Sequence, residues 1–128
     1  MKVIARGTFE ITMSPPAAEL DGAAARMDFD KTFHGDLDAT SRGILLSAGD
    51  PATGHAGYVA LEAVSGRLHE RTGGFAFQQL GQLTGGEPTL RYAIVPGSGT
   101  GELAGVVGTL DLRVEDGVHH YSLAYSFA

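Results

Sequence analysis

Apolar and polar side chains alternate with a period of two through most of the chain. Between Val3 and Met13, for example, Phe9 and Ile11 fall on one face and Glu10 falls on the other. This period indicates a β-strand and does not fit a helical stripe. The same pattern predicts eight strands, at residues 3–13, 26–34, 37–48, 55–69, 75–83, 89–95, 106–115 and 118–127.

Short connections rich in glycine, aspartate and proline separate the predicted strands. Asp116-Gly117 is the strongest hairpin signal, because these residue types accept the positive φ angles of a tight two-residue turn. Residues 17–25, which belong to the longest gap between predicted strands, are predicted to be a loop at the rim with at most one helical turn.

Eight consecutive strands without a convincing helix predict an all-β fold with little or no helix. The architecture that suits so much strand is a closed, eight-stranded antiparallel meander barrel, because closure leaves no sheet edge exposed. The interior of such a barrel is either filled by side chains or wide enough for one small ligand.

Length and composition narrow the classes of protein to consider. The 128 residues fit one barrel domain, residues 1–128. A formal charge of −6 argues against nucleic acid and a membrane surface as partners, since both require a basic face. The absence of cysteine excludes disulfides, thiolate metal sites and a cysteine nucleophile. No apolar leader or membrane-length apolar run is apparent, so we expect a cytoplasmic protein.

A glycine-rich stretch, residues 95–108, contains the most specific motif of the chain. Gly99 to Ala104 matches the G-x-G-x-x-A turn of dinucleotide-binding proteins, in which a helix must follow so that its amides hold the pyrophosphate. The residues from Val106 onward are typical of a strand instead. We therefore predict that the glycines only turn the chain between two strands. The glycines of this structural turn are Gly97, Gly99, Gly101 and Gly105.

This stretch, together with residues 31–35 (KTFHG) and 57–62 (GYVALE), resembles a family of small uncharacterised bacterial proteins known as a domain of unknown function. The resemblance covers nearly the whole chain and implies an allene oxide cyclase-like, calycin-like barrel with a central cavity. In relatives with known activity, that cavity binds hydrophobic substrates and steers their cyclisation or coupling. The family itself has no established reaction, so the resemblance assigns no catalytic residue.

Two charged residues fall on faces predicted to point into the barrel. Lys31 lies between two phenylalanines, and Glu62 lies between two aliphatic residues. A buried charge is costly unless it is paired. Within one barrel the two side chains could pair, orient a ligand, or act as acid and base with shifted pKa values. The alternative is that a bulge shifts the strand pleat and leaves one or both of them solvated.

Tyrosines and a glutamine share these predicted inner faces. A tyrosine is more often a core residue with a satisfied hydroxyl than a ligand contact. Several polar tips that converge in an apolar barrel are nevertheless typical of a small-molecule pocket. The ligand-binding candidates are Lys31, Tyr58, Glu62, Gln79, Tyr92, Tyr121 and Tyr125.

The histidines do not form a metal-binding pattern. His119 and His120 are adjacent on a predicted strand, so their side chains leave opposite faces and cannot chelate one ion together. We expect neither a metal ion nor a cofactor, and the catalytic residues, if there are any, are unknown.

The third and fourth predicted strands, residues 37–48 and 55–69, carry apolar residues on both faces. An apolar patch on the outside of a barrel usually marks an interface. A homo-oligomer that is joined through these two strands is the simplest way to bury the patch. The alternative is that the 17–25 loop folds over it.

Three functions remain open at this point. The first hypothesis is a barrel that binds a small hydrophobic ligand with one polar group in its central cavity. The alternative is an isomerase or cyclase in which the cavity folds a flexible substrate and Glu62, Lys31 or a tyrosine moves a proton. The third is an oligomeric barrel with a filled core and no ligand.

Overall fold

The computed structural model describes residues 1–128, and most of them lie in β-strands. Eight of the strands are long and two are short. They are β1 (Val3–Met13), β2 (Ala17–Glu19), β3 (Ala24–Gly35), β4 (Leu37–Asp50), β5 (His55–Leu68), β6 (Arg71–Thr84), β7 (Glu87–Ile94), β8 (Thr100–Gly101), β9 (Val106–Glu115) and β10 (Val118–Phe127). Two single turns of 3-10 helix, Leu20–Gly22 and Pro51–Thr53, are the only helical segments, and no helix could span a membrane.

The long strands form a closed antiparallel barrel, as the sequence predicts. Each long strand pairs with the next one along the chain, and β1 pairs with both β3 and β10, which closes the circle. One seam is much weaker than the others. Strands β7 and β9 meet at a single residue pair, Ala93 opposite Thr109, and then part.

The structure departs most from the predicted bounds in two places. Strand β6 begins at Arg71 and not at residue 75, because Gly73 and Gly74 remain extended and pair with β5 on one side and with β8 on the other. The predicted rim loop at 17–25 contains strand β2, which pairs with the start of β3, before its one 3-10 turn. In both cases the pairing of backbone groups decides the conformation, and local composition does not reveal it.

Buried side chains fill one end of the barrel, which we call the closed end. A continuous cluster of 17 buried residues lies there, and phenylalanines and tyrosines contribute much of it. The rings of Phe33, Phe75, Phe77 and Tyr92 contact one another in tilted and edge-to-face pairs. The closed half is therefore packed like the interior of any globular domain.

The glycine-rich connection between β7 and β9, residues 95–105, crosses the closed end, and we call it the strap. Its short strand β8 pairs with Gly73 and Gly74, and its Leu103 is 1% exposed and packs into the core. The chain approaches itself so closely here that a Cβ at Gly99 would lie 2.0 Å from the carbonyl oxygen of Leu103. Strand β9 follows directly, as predicted, so no helix N-terminus is present to hold a phosphate.

Candidate functional site

Lys31 and Glu62 both lie inside the barrel, about midway between its two ends. Lys31 comes from β3 and Glu62 from β5, and the strand alternation directs both side chains inward. The ammonium nitrogen Nζ of Lys31 lies 2.9 Å from Oε1 of Glu62. The two side chains are 3% and 0% exposed, so they form an ion pair that is shielded from water.

The Glu62 carboxylate accepts four hydrogen bonds. Its Oε1 accepts from Nζ of Lys31 at 2.9 Å, from the Tyr92 hydroxyl at 2.6 Å and from Nε2 of Gln79 at 3.1 Å. Its Oε2 accepts from the Ser41 hydroxyl at 2.6 Å. Three of the four donors share Oε1, and Oε2 has one donor. We call these five residues, together with Tyr58, the polar cluster.

Ser41 is a member of the cluster that the sequence analysis does not identify. It lies on β4 opposite Lys31, and it is 4% exposed. The alternation of β4 places it on the same face as Leu37 and Ala39, and this periodicity is the signal that could have identified it.

Aromatic rings surround the ammonium group of Lys31. Its nitrogen lies 4.7 Å from the centre of the Phe9 ring, 4.9 Å from that of Tyr92 and 5.1 Å from that of Phe29. A cation is attracted to the faces of such rings. Burial lowers the pKa of Lys31 from its ordinary value, and the nearby Glu62 carboxylate opposes this shift.

Two tyrosines connect the ion pair to the rest of the interior. Burial raises the pKa of Tyr92 well above its ordinary value, and the adjacent Glu62 carboxylate raises it further. Burial and the same carboxylate also raise the pKa of Tyr58, whose hydroxyl donates to Oε1 of Gln79 at 3.0 Å. Both hydroxyls are therefore neutral hydrogen-bonding groups over the usual pH range.

A cavity of about 430 Å³ lies at the other end of the barrel, which we call the open end. Met27, Leu45 and Leu83 supply much of its apolar lining, and Ser47 and Tyr58 are among its polar residues. Tyr58 is the only predicted ligand-binding residue that lines this cavity. Four other predicted ligand-binding residues belong to the polar cluster but do not line this cavity: Lys31, Glu62, Gln79 and Tyr92.

Two glycines on the inner face make room for the rings beside the cavity. A Cβ at Gly81 would lie 2.0 Å from the Tyr58 ring, and a Cβ at Gly43 would lie 2.2 Å from the Phe29 ring. No side chain larger than hydrogen fits at either position without moving a ring. These glycines fix where Tyr58 and Phe29 lie relative to the polar cluster.

Tyr121 and Tyr125 also point inward, but they belong to the closed end. The Tyr121 hydroxyl accepts from the backbone N–H of Leu37 at 2.9 Å and donates to the carbonyl oxygen of His34 at 3.0 Å. Burial raises its pKa to about 12. The Tyr125 hydroxyl contacts Nδ1 of His69. The structure does not bring these two tyrosines together with the polar cluster, and their surroundings favour a role in closing the barrel.

The outer face of β4 and β5 exposes the aliphatic residues that the sequence places there. Ile44, Val59 and Leu61 are 44%, 50% and 58% exposed, and Leu46 is half-buried. They line an outer groove of about 950 Å³ that continues across β6 and β7 to the weak seam with β9. At that seam the groove also reaches two predicted ligand-binding residues, Gln79 and Tyr92. The 17–25 segment pairs with β3 and does not cover these residues.

No cluster of three or more histidine, aspartate or glutamate side chains is placed to hold a metal ion. The chemistry that the site offers is therefore that of hydrogen bonds, one shielded charge pair and an apolar cavity. A general base must reach the proton that it removes. Because the Glu62 side chain is 0% exposed and its hydrogen bonds are taken, this geometry favours binding over proton transfer at Glu62.

Comparison with known families places the chain in one of them. A family model described as "Protein of unknown function (DUF3224)" matches residues 5–125. The chain belongs to the DUF3224 family. A crystal structure at 1.84 Å resolution of a DUF3224 protein of unknown function from Shewanella oneidensis MR-1 is 38% identical to it, with a TM-score of 0.91. That similarity covers 100% of this chain and 98% of the Shewanella chain.

No curated protein matches the chain. The family and the barrel fold are thus established, as predicted, whereas neither similarity carries the name of a ligand or a reaction. The function has to be argued from the geometry of the interior.

Proposed function

We propose that this barrel binds a small, mostly apolar molecule in the cavity at its open end. The observation that carries the proposal is the contrast between the two halves of one interior. Seventeen buried residues pack the closed half, whereas the open half retains about 430 Å³ of space. An interior that served stability alone would be filled throughout, and a cavity of this size with an apolar lining is typical of a ligand site.

The polar cluster supports this role from behind the cavity. It holds Gln79, and Gln79 in turn holds the Tyr58 hydroxyl at the cavity wall. Because the ring position of Tyr58 is fixed by Gly81 and its hydroxyl by Gln79, its polar group is oriented before a ligand arrives. Such preorganisation reduces the entropy that binding must overcome.

The test is to release and identify whatever the purified protein carries. We expect mass spectrometry of the denatured protein to detect an apolar compound with the wild type and not with Ser47→Phe, whose ring would fill the cavity. The matched control is Thr40→Phe, an exposed position on the same strand, and it should release the same compound as the wild type.

A neutral dye gives a second measurement that does not depend on a copurified compound. We expect Nile red to bind the wild type and Thr40→Phe with a similar Kd, and to bind Ser47→Phe at least about tenfold more weakly. The proposal is wrong if no compound is released and Nile red binds Ser47→Phe as well as it binds the wild type.

A further inference from the structure

The two full charges of the interior are not available to a molecule in the cavity. Lys31 and Glu62 are 3% and 0% exposed, and neither lines the cavity. Glu62 is surrounded by four hydrogen-bond donors, and Lys31 by Glu62, Tyr92 and aromatic rings. The pair also has no net charge, so its field at the cavity is that of a dipole.

The cavity wall itself contains no ionised side chain. Its 15 lining residues are apolar, glycine or neutral polar residues. An ionised group that is buried against this wall loses hydration on that side without meeting a counter-charge, and that loss is unfavourable. The wall therefore selects against carboxylates and ammonium groups.

The Tyr58 hydroxyl has a direction that the buried ion pair imposes. A carboxylate can only accept hydrogen bonds, so the amide nitrogen of Gln79 must face Glu62. The carbonyl oxygen of Gln79 consequently faces Tyr58, and the Tyr58 hydroxyl must donate to it. Its single proton is thereby used, so a molecule that reaches the Tyr58 oxygen from the cavity meets only lone pairs.

Ser47 adds a second hydroxyl to the same wall. It lies directly opposite Tyr58 across the β4–β5 pair, it is half-buried, and it is not part of the polar cluster. Its hydroxyl rotates and can either donate or accept. A ligand hydroxyl between these two residues could donate to Tyr58 and accept from Ser47.

From this arrangement we infer that the ligand is uncharged and carries a hydroxyl group that donates a hydrogen bond to Tyr58. This inference rests on the proposed function, since it concerns the same cavity. It goes further because it states the charge of the ligand and the direction of its polar contact. An alcohol or a phenol on a hydrocarbon frame fits the description, and a fatty acid does not.

Three probes that share a carbon chain length test the inference on the wild-type protein. They are 2-octanol, 2-octanone and octanoate, each used at pH 7 to displace Nile red. We expect 2-octanol to bind about threefold to tenfold more tightly than 2-octanone, the range that one hydrogen bond contributes. We expect octanoate to bind at least tenfold more weakly than the alcohol, because its charge meets no partner.

Two variants identify the residue that is responsible. Tyr58→Phe should abolish the preference for 2-octanol over 2-octanone. Ser47→Ala should retain or increase it, because the ketone can accept only from Ser47. The thermal midpoint of each variant shows whether it is folded, and the comparison among the three probes on the wild type needs no variant.

The outcomes separate the two proposals. If octanoate binds as tightly as the alcohol, or if 2-octanone equals 2-octanol, the inference about the ligand is overturned while the cavity remains a binding site. If none of the three displaces the dye and Ser47→Phe binds the dye normally, the proposed function itself is overturned.

Discussion

The pairing of Lys31 with Glu62 places two full charges where neither contacts water. The desolvation of two ions is costly, and an ion pair alone does not always repay it. Here four donors surround the carboxylate and several rings face the ammonium group, so each charge has more than one favourable contact. Removing one partner would leave the other buried without compensation.

We therefore predict strong coupling between these two residues. Lys31→Met and Glu62→Gln should each lower the free energy of unfolding by about 3–5 kcal/mol. The double variant should lose clearly less than the sum, because no buried charge is left. The Gln oxygen can still accept from Tyr92, and its amide nitrogen can donate to the Ser41 hydroxyl. Urea denaturation of the four proteins measures the coupling.

The exposed pair Asp30–Arg42, which joins β3 to the neighbouring strand β4, is the control. Its side chains are 63% and 90% exposed, so a cycle of Asp30→Asn and Arg42→Met should show coupling near the experimental error. Equal coupling energies in the two cycles would contradict the prediction that burial strengthens the contribution of the Lys31–Glu62 pair to the free energy of unfolding.

Within single strands, glycines determine where large rings can lie. Gly43 on β4 and Gly81 on β6 occupy inward positions. The inward residues on either side of them along each strand carry side chains. The missing side chains leave the space that the Phe29 and Tyr58 rings take up. A glycine in a strand interior weakens that strand. In this barrel, the space that each glycine leaves is occupied by an aromatic ring beside the polar cluster.

We predict that Gly81→Ala lowers the free energy of unfolding by about 1–3 kcal/mol, since its Cβ would overlap the Tyr58 ring and force that ring to move. It should also weaken Nile red binding. Gly57→Ala on the neighbouring strand is the control for stability, because the nearest atom to its Cβ would lie 3.6 Å away. Urea denaturation and dye titration of both variants provide the check, and equal stability of the two would refute the tight contact.

At the scale of the whole molecule, the two ends of the barrel differ in kind. The strap and Leu103 cover the closed end, and the open end leads into a cavity. The outer wall is also uneven, because aliphatic residues of β4 and β5 remain exposed beside the weak β7–β9 seam. The prediction that two or more copies associate through this face stays a prediction.

We predict that Leu61→Lys shifts such an assembly toward the monomer, because it places a charge at the centre of the apolar face. Leu61 is 58% exposed, and Val114 on β9 is equally exposed but lies away from the groove, which makes Val114→Lys a close control. Sedimentation velocity at several concentrations measures the change. A wild type that remains monomeric at every concentration would show that this face does not join copies of the chain.

The alternation of side chains was sufficient to predict the barrel. Because successive residues of a strand face opposite sides, the sequence also placed Lys31, Glu62, Tyr58, Gln79 and Tyr92 on inner faces. Their pairing could not be predicted, since it depends on the stagger between strands that are not adjacent in the chain. Ser41 was missed because a serine on an inner face becomes significant only when a carboxylate comes within hydrogen-bond distance, and Glu62 lies diagonally across from it on the next strand.

The sequence by itself thus determined the strands, the glycine-rich turn and the set of residues that point inward, because these depend on local backbone preferences and on a period of two. Only the tertiary structure decided which end of the barrel is filled and which residue of the polar set reaches the cavity. Those features depend on the register of eight strands, on the strap that crosses one end, and on the contact of each ring with a glycine on the neighbouring strand. Such contacts join distant parts of the chain, and no local pattern encodes them.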